Sequence, residues 1–165
     1  MIPINLKSLI QRLNQTCRNE LENAAGYALL KTHYDVELEH WLKKLIQNDQ
    51  SDIPEILRSF DVNLLDLNNS LDRIIDKFKV GNSRAPGLSP SIVELIKQTW
   101  LFSSVEMNSG IIRSGHILLV AITEEKYRLS DISQELKKIQ IDQLKNQFRK
   151  ITEHSNENNE TTPVI

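Results

Sequence analysis

The sequence predicts an all-α protein: a pseudo-twofold tandem repeat of two four-helix units, with an extra helix in front. Three observations predict it. Apolar residues recur at helical spacing along most of the 165 residues. Leu and Ile dominate the apolar set while Gly and Val are sparse, which favours helix over strand. A hinge at 81–91, holding Gly81, Pro86, Gly87, Ser89 and Pro90, divides the chain into halves that carry the same pattern.

The extra helix spans 5–13. Asn5 caps it, and Leu6, Leu9, Ile10 and Leu13 fall at i, i+3, i+4 and i+7. It is too short to be stable alone, so its stripe must lie on something. Asn14-Gln15-Thr16 breaks it, and Thr16 caps the next helix, Cys17–Lys31. There Leu21, Ala24, Ala25, Ala28 and Leu29 form a small-residue face, and Gly26 reads as a point of close contact. Residues 32–36 are a connection. Glu37–Ile46 turns Leu38, Trp41, Leu42, Leu45 and Ile46 inward. Asp52 caps Ile53–Phe60, with Pro54 tolerated in the first turn. Leu64–Phe78 closes the first repeat, 16–80.

The hinge stops that helix, and Ser89-Pro90 restarts one: Ser is a good N-cap, and Pro suits the first helical position. The second repeat, 92–152, lies within the helices Pro90–Glu106, Gly115–Glu124, Leu129–Ile139 and Asp142–Thr152. From Glu153 the chain is polar, acidic and without period, so 153–165 reads as a flexible tail or linker.

Several function classes are excluded. The net charge is -2 with no Lys/Arg cluster, which argues against nucleic acid. No apolar run is long enough to span a bilayer, and residues 1–5 do not open a signal peptide, so the expected location is cytoplasmic. Cys17 is the sole cysteine, which fits a reducing compartment. His33, His40, His116 and His154 show no metal-ligand spacing. There is no phosphate loop, no Gly-x-Ser-x-Gly and no Ser/His/Asp series. No catalytic residue, metal or cofactor is expected in this chain.

The two halves align residue by residue. Val36 to Leu42 matches Ile112 to Leu118, and His40 falls on His116, an offset of 76. Leu67, Leu71 and Ile74 fall on Leu144, Phe148 and Ile151, an offset of 77. Histidines at equivalent repeat positions suit a packing or capping role near a helix start.

A tandem repeat of four short helices, with a β-branched residue four before His, resembles the N-terminal domain of Clp-type AAA+ unfoldases. Within that family the extra helix, Leu13-Asn14, Arg18, Leu21-Glu22 with Ala24-Ala25, Leu88-Ser89-Pro90 and Ser104 to Met107 are most similar to the ClpV branch. That branch recycles the contractile sheath of type VI secretion systems. The second copy departs at Trp100, where the first has Ala24, which leaves open which groove is used.

The resemblance implies a non-catalytic docking module that binds an amphipathic helix: the N-terminal helix of a small sheath protein of the VipB/TssC kind. ATP and magnesium would belong to ATPase domains outside this chain. The isolated domain would be a monomer and the whole protein a hexamer. The implied groove lies between the extra helix and the first repeat helix, near the hinge, lined by Leu6, Leu9, Ile10, Leu13, Ala25, Leu29, Pro86 and Leu88. One face cannot fully serve both core and groove, so about half of the first four should line it. Leu88 is the sharpest candidate, an apolar residue in a polar hinge. Arg12 and Arg18 would sit at the rim. The alternative is a Clp-type N-domain of another branch that binds an adaptor or unfolded clients. A small helical hydrolase or metal protein is the reading from a different class.

Overall fold

The computed structural model describes residues 4–160. Its helices are α1 (Leu6–Ile10), α2 (Gln15–Leu30), α3 (Leu38–Gln47), α4 (Asp52–Ser59), α5 (Leu64–Ile75), α6 (Pro90–Val105), α7 (Ser114–Thr123), α8 (Leu129–Ile132), α9 (Ile141–Asn146) and α10 (Phe148–Ile151). Two two-residue strands, β1 (Asp35–Val36) and β2 (Gly87–Leu88), pair in parallel. The helices pack around one core that draws on both halves and includes the fully buried Trp41, whose indole donates to the Cys17 carbonyl at 3.2 Å.

The duplication appears in the backbone as two equivalent crossings. Val36 pairs with Leu88, and Leu13 pairs with Ile112, both in parallel. Leu13 and Leu88 each stand just before the N-cap that opens the first helix of their half, Asn14 and Ser89. Val36 and Ile112 each stand just before the N-cap of the second, Glu37 and Arg113. Each half therefore lends a strand residue to the other. The histidines repeat too: His40 Nδ1 accepts from the Glu37 N–H at 2.9 Å, and His116 Nδ1 accepts from the Arg113 N–H at 3.3 Å. This is the capping role expected of equivalent histidines. Thr32 and Asn108, 76 residues apart, are both left-handed, with φ of 59° and 49°, and each follows the first helix of its half.

Several local expectations are corrected. α1 stops at Ile10 because Leu13 is drawn into its bridge with Ile112. Asn14, not Thr16, caps α2 through its side-chain oxygen. Ser51 occupies the N-cap of α4, and Asp52 is its first residue. Extended backbone at Ser133 splits the expected 129–139 helix into α8 and the 3-10 turn Gln134–Lys138. Gln147 divides α9 from α10. Gly26 is not a contact point, since a Cβ there would meet nothing within 4 Å.

The largest correction concerns the tail. Residues 153–160 are packed against the domain: Asn156–Asn159 form a 3-10 turn, and Glu157 is 1% exposed. Local composition signalled disorder, but the partners that bury this segment lie far away in sequence. The remainder of the expected tail, 161–165, lies outside the described residues.

Candidate functional site

The expected groove residues divide by burial. Leu9 and Leu13 are buried core and offer no face to a ligand. The stripe of α1 packs against the second repeat, on α6, rather than chiefly on α2. Arg12 lies over the Trp100 ring at 4.8 Å, so the tryptophan that sets the second copy apart is a platform for the extra segment. Leu6 (43% exposed) and Leu29 (49%) are open, while Ile10, Ala25, Pro86 and Leu88 are half-buried. Half of the α1 quartet, Leu6 and Ile10, thus keeps accessible surface. Leu88 has a structural task that its hinge context hid: its backbone pairs with Val36 and its side chain packs on the core.

A second apolar surface was missed. A groove of about 500 Å³ runs between α6 and α7, lined by Leu101, Phe102, Val105, Leu119 and Val120 among others. Leu101 and Val105 are 66% and 69% exposed. A shift of 75 to 76 residues carries the groove between α2 and α3 onto it. That first groove encloses about 390 Å³ and is lined by Asn23, Gly26, Tyr27, Leu30, Lys44, Gln47 and Asn48. The signal lay in α7, which is apolar nearly all round, from Ile117 to Ile122.

The titratable groups point to structure rather than chemistry. His33 Nδ1 and His40 Nε2 are 2.9 Å apart and buried, against Phe78. Because His40 Nδ1 accepts from Glu37, its Nε2 carries the proton that His33 takes as a hydrogen bond. Burial pushes His40 down to about 4, with His33 adding to the shift. His116 is also pushed down to about 4, mainly by burial. Both are neutral caps at pH 7. Burial pushes the Cys17 thiol up, which leaves it inert. Among the described residues no group of three or more His, Cys, Asp or Glu is placed to hold a metal ion, and no helix is long and apolar enough to cross a membrane.

A buried ion pair braces the second half. Arg113 donates to Asp52 from Nε (3.0 Å) and Nη2 (2.6 Å). The Gly115 N–H donates to Asp52 at 3.2 Å, and the Phe148 ring lies where a Gly115 side chain would stand.

Against known proteins, residues 12–139 match the family model of the Clp repeat (R) N-terminal domain. The chain is 32% identical over 159 residues to the chaperone protein ClpB of Yersinia enterocolitica, covering 95% of this chain and 18% of that protein. It therefore spans less than a fifth of that curated relative. The N-domain of ClpV from Vibrio cholerae superposes with a TM-score of 0.88 at 32% identity, covering 95% of both chains. A ClpV N-domain solved in complex with a VipB peptide gives 0.83 at 31% identity, covering 95% of this chain and 97% of that one. Duplicated helices, crossed bridges and paired histidine caps agree with the match, and the chain belongs to the Clp repeat N-terminal domain family.

Proposed function

We propose that this chain is the client-docking domain of a ClpV-like AAA+ unfoldase, and that it holds an amphipathic helix from the N-terminus of a type VI secretion sheath protein. The observation that carries this reading is the likeness, at 31% identity over nearly the whole of both chains, to a ClpV N-domain solved with a VipB peptide. The extra helix supports it. α1 turns Leu9 and Leu13 into the core and keeps Leu6 and Ile10 accessible, an arrangement suited to a helix-in-groove contact. Ala25, Leu29, Pro86 and Leu88 would complete that surface.

The role is positional rather than catalytic. Docking raises the client's effective concentration near an ATPase ring. ATP and magnesium would act in the remainder of a longer, hexameric, cytoplasmic protein, and six docking domains would compensate for modest single-site affinity. The outcome would be sheath disassembly and recycling.

The second reading is an N-domain that binds unfolded clients or an adaptor. Two observations favour it: identity to ClpB equals that to the ClpV N-domain, and the α6–α7 groove is apolar and open. Titration separates the two. A synthetic sheath N-terminal helix should bind this chain at least tenfold more tightly than a scrambled peptide or a reduced, unfolded protein. Equal binding of all three would replace the first reading with the second.

A further inference from the structure

The segment Glu153–Glu160 contains no apolar side chain, yet Ser155 and Glu157 are buried. Hydrophobic burial cannot be what holds it. Its contacts are polar and converge on helix N-termini. The Glu157 carboxylate accepts from the N–H of Asp52 in the first turn of α4 (2.7 Å), and from the N–H and hydroxyl of Ser114 in the first turn of α7 (2.8 and 2.5 Å). It also accepts from the side-chain amide of Asn14, the cap of α2 (2.8 Å). Glu160 accepts from the N–H and hydroxyl of Thr16 (2.6 and 2.5 Å). The Asn156 N–H donates to the Gln50 carbonyl at 2.7 Å, and Asn158 accepts from Arg113 at 2.7 Å. Three helix starts, with their orphan N–H groups and positive dipole ends, form a socket for this carboxylate.

We propose that Glu153–Glu160 is a releasable strap, bolted into this socket by Glu157, that fixes where the chain leaves the domain. Docked, it brings Glu160 beside Thr16. Released, it adds eight residues of tether, up to about 25 Å, between the domain and whatever follows. The strap is releasable because its docking is a small difference between large polar terms: four donors gained against a carboxylate taken out of water. This inference does not rest on the client assigned above.

The charge around the bolt gives the strap a pH dependence. Facing it are Asp52 from α4, Arg113 and His116 from α7 and its lead-in, Cys17 from α2, Arg149 from α10 and Glu160 of the strap itself. Burial first, and then the Asp52 carboxylate, push Glu157 from an ordinary 4.5 up to about 7. The docked strap therefore binds a proton that the free strap has lost. Docking weakens as pH rises from about 4.5 to about 7 and is constant above. Ser114 Oγ serves both states, since a hydroxyl can donate to the carboxylate or accept from the acid.

Hydrogen exchange on the full chain tests the strap, with protection corrected for intrinsic rates at each pH. The probes are the bonded amides of Asn156, Glu157, Asn158 and Glu160, compared with Trp41 to Leu45 in α3. The strap should open without the core, with protection at least tenfold below that of α3. That protection should fall about tenfold or more from pH 5.5 to pH 8. Glu157→Gln should lower it at both pH values and abolish the dependence. The proposal is overturned if strap and α3 show equal protection, if strap protection is the same at both pH values or in the variant, or if Glu157→Gln fails to fold.

Discussion

The two grooves of this domain occupy equivalent positions in its two repeats and have opposite surfaces. Between α2 and α3 the lining is Asn23, Gly26, Lys44, Gln47 and Asn48, with Tyr27 and Leu30; between α6 and α7 it is Leu101, Phe102, Val105, Leu119 and Val120. What both halves keep is backbone machinery: an N-cap before each first helix, a histidine cap on each second helix, and a strand residue lent to the other half. What differs is everything that faces outward or seals the base. Duplication here preserved the groups that satisfy backbone hydrogen bonds, because losing any of them leaves orphan polar atoms. It left the grooves free to diverge.

The base gives the largest contrast. Glu37 and Arg113 are equivalent N-cap residues, but only Arg113 forms an ion pair, with the fully buried Asp52. Asp52→Ala strands the guanidinium and should cost about 3 kcal/mol, lowering the melting temperature by roughly 10 °C. Glu37→Ala removes a cap and should cost about 1 kcal/mol. Equal losses would erase the contrast.

Glycine supplies the next test. A Cβ on Gly115 would stand 2.6 Å from two Phe148 ring carbons, whereas one on Gly26 would meet nothing. Gly115→Ala should destabilise by about 1–3 kcal/mol. Gly26→Ala, inside α2 and exposed, should stabilise by up to about 1 kcal/mol. Thermal melts of the two variants should move in opposite directions.

Histidine titration sharpens the point at which the halves agree. His40 and His116 are both pushed down to about 4 from 6.5, so the unfolded chain binds protons that the folded one refuses. Their contribution to stability is complete above about pH 6.5 and is lost as pH falls towards 4. Chemical denaturation between pH 7 and 4.5 should show that loss, reduced in either single His→Gln variant. A pH-independent midpoint would mean the caps are not neutral imidazoles. The smallest stability effect should come from Leu101→Asp, at an exposed site, within about 0.5 kcal/mol.

The helical periods and the His40/His116 alignment were legible in sequence because stripes and caps are local patterns. Leu88 was misjudged because a two-residue strand has no sequence signal; its partner Val36 lies 52 residues earlier. Glu157 was illegible for the same reason at larger scale. Its donors are 143, 105 and 43 residues away, and nothing in a run of Asn, Glu and Ser announces them. Of the α1 quartet, the stripe was readable, but which two residues remain open depends on α6, which sequence spacing does not locate.

The central claim is that the client helix docks on the α1 side, not in the apolar groove of the second repeat. The direct measurement is the dissociation constant of a sheath N-terminal helix for two variants with unchanged melts, Leu6→Asp and Leu101→Asp. The account predicts that Leu6→Asp weakens binding at least tenfold and that Leu101→Asp changes it less than twofold. The reverse order, or no effect at Leu6, would contradict it and move the docking site to the groove between α6 and α7.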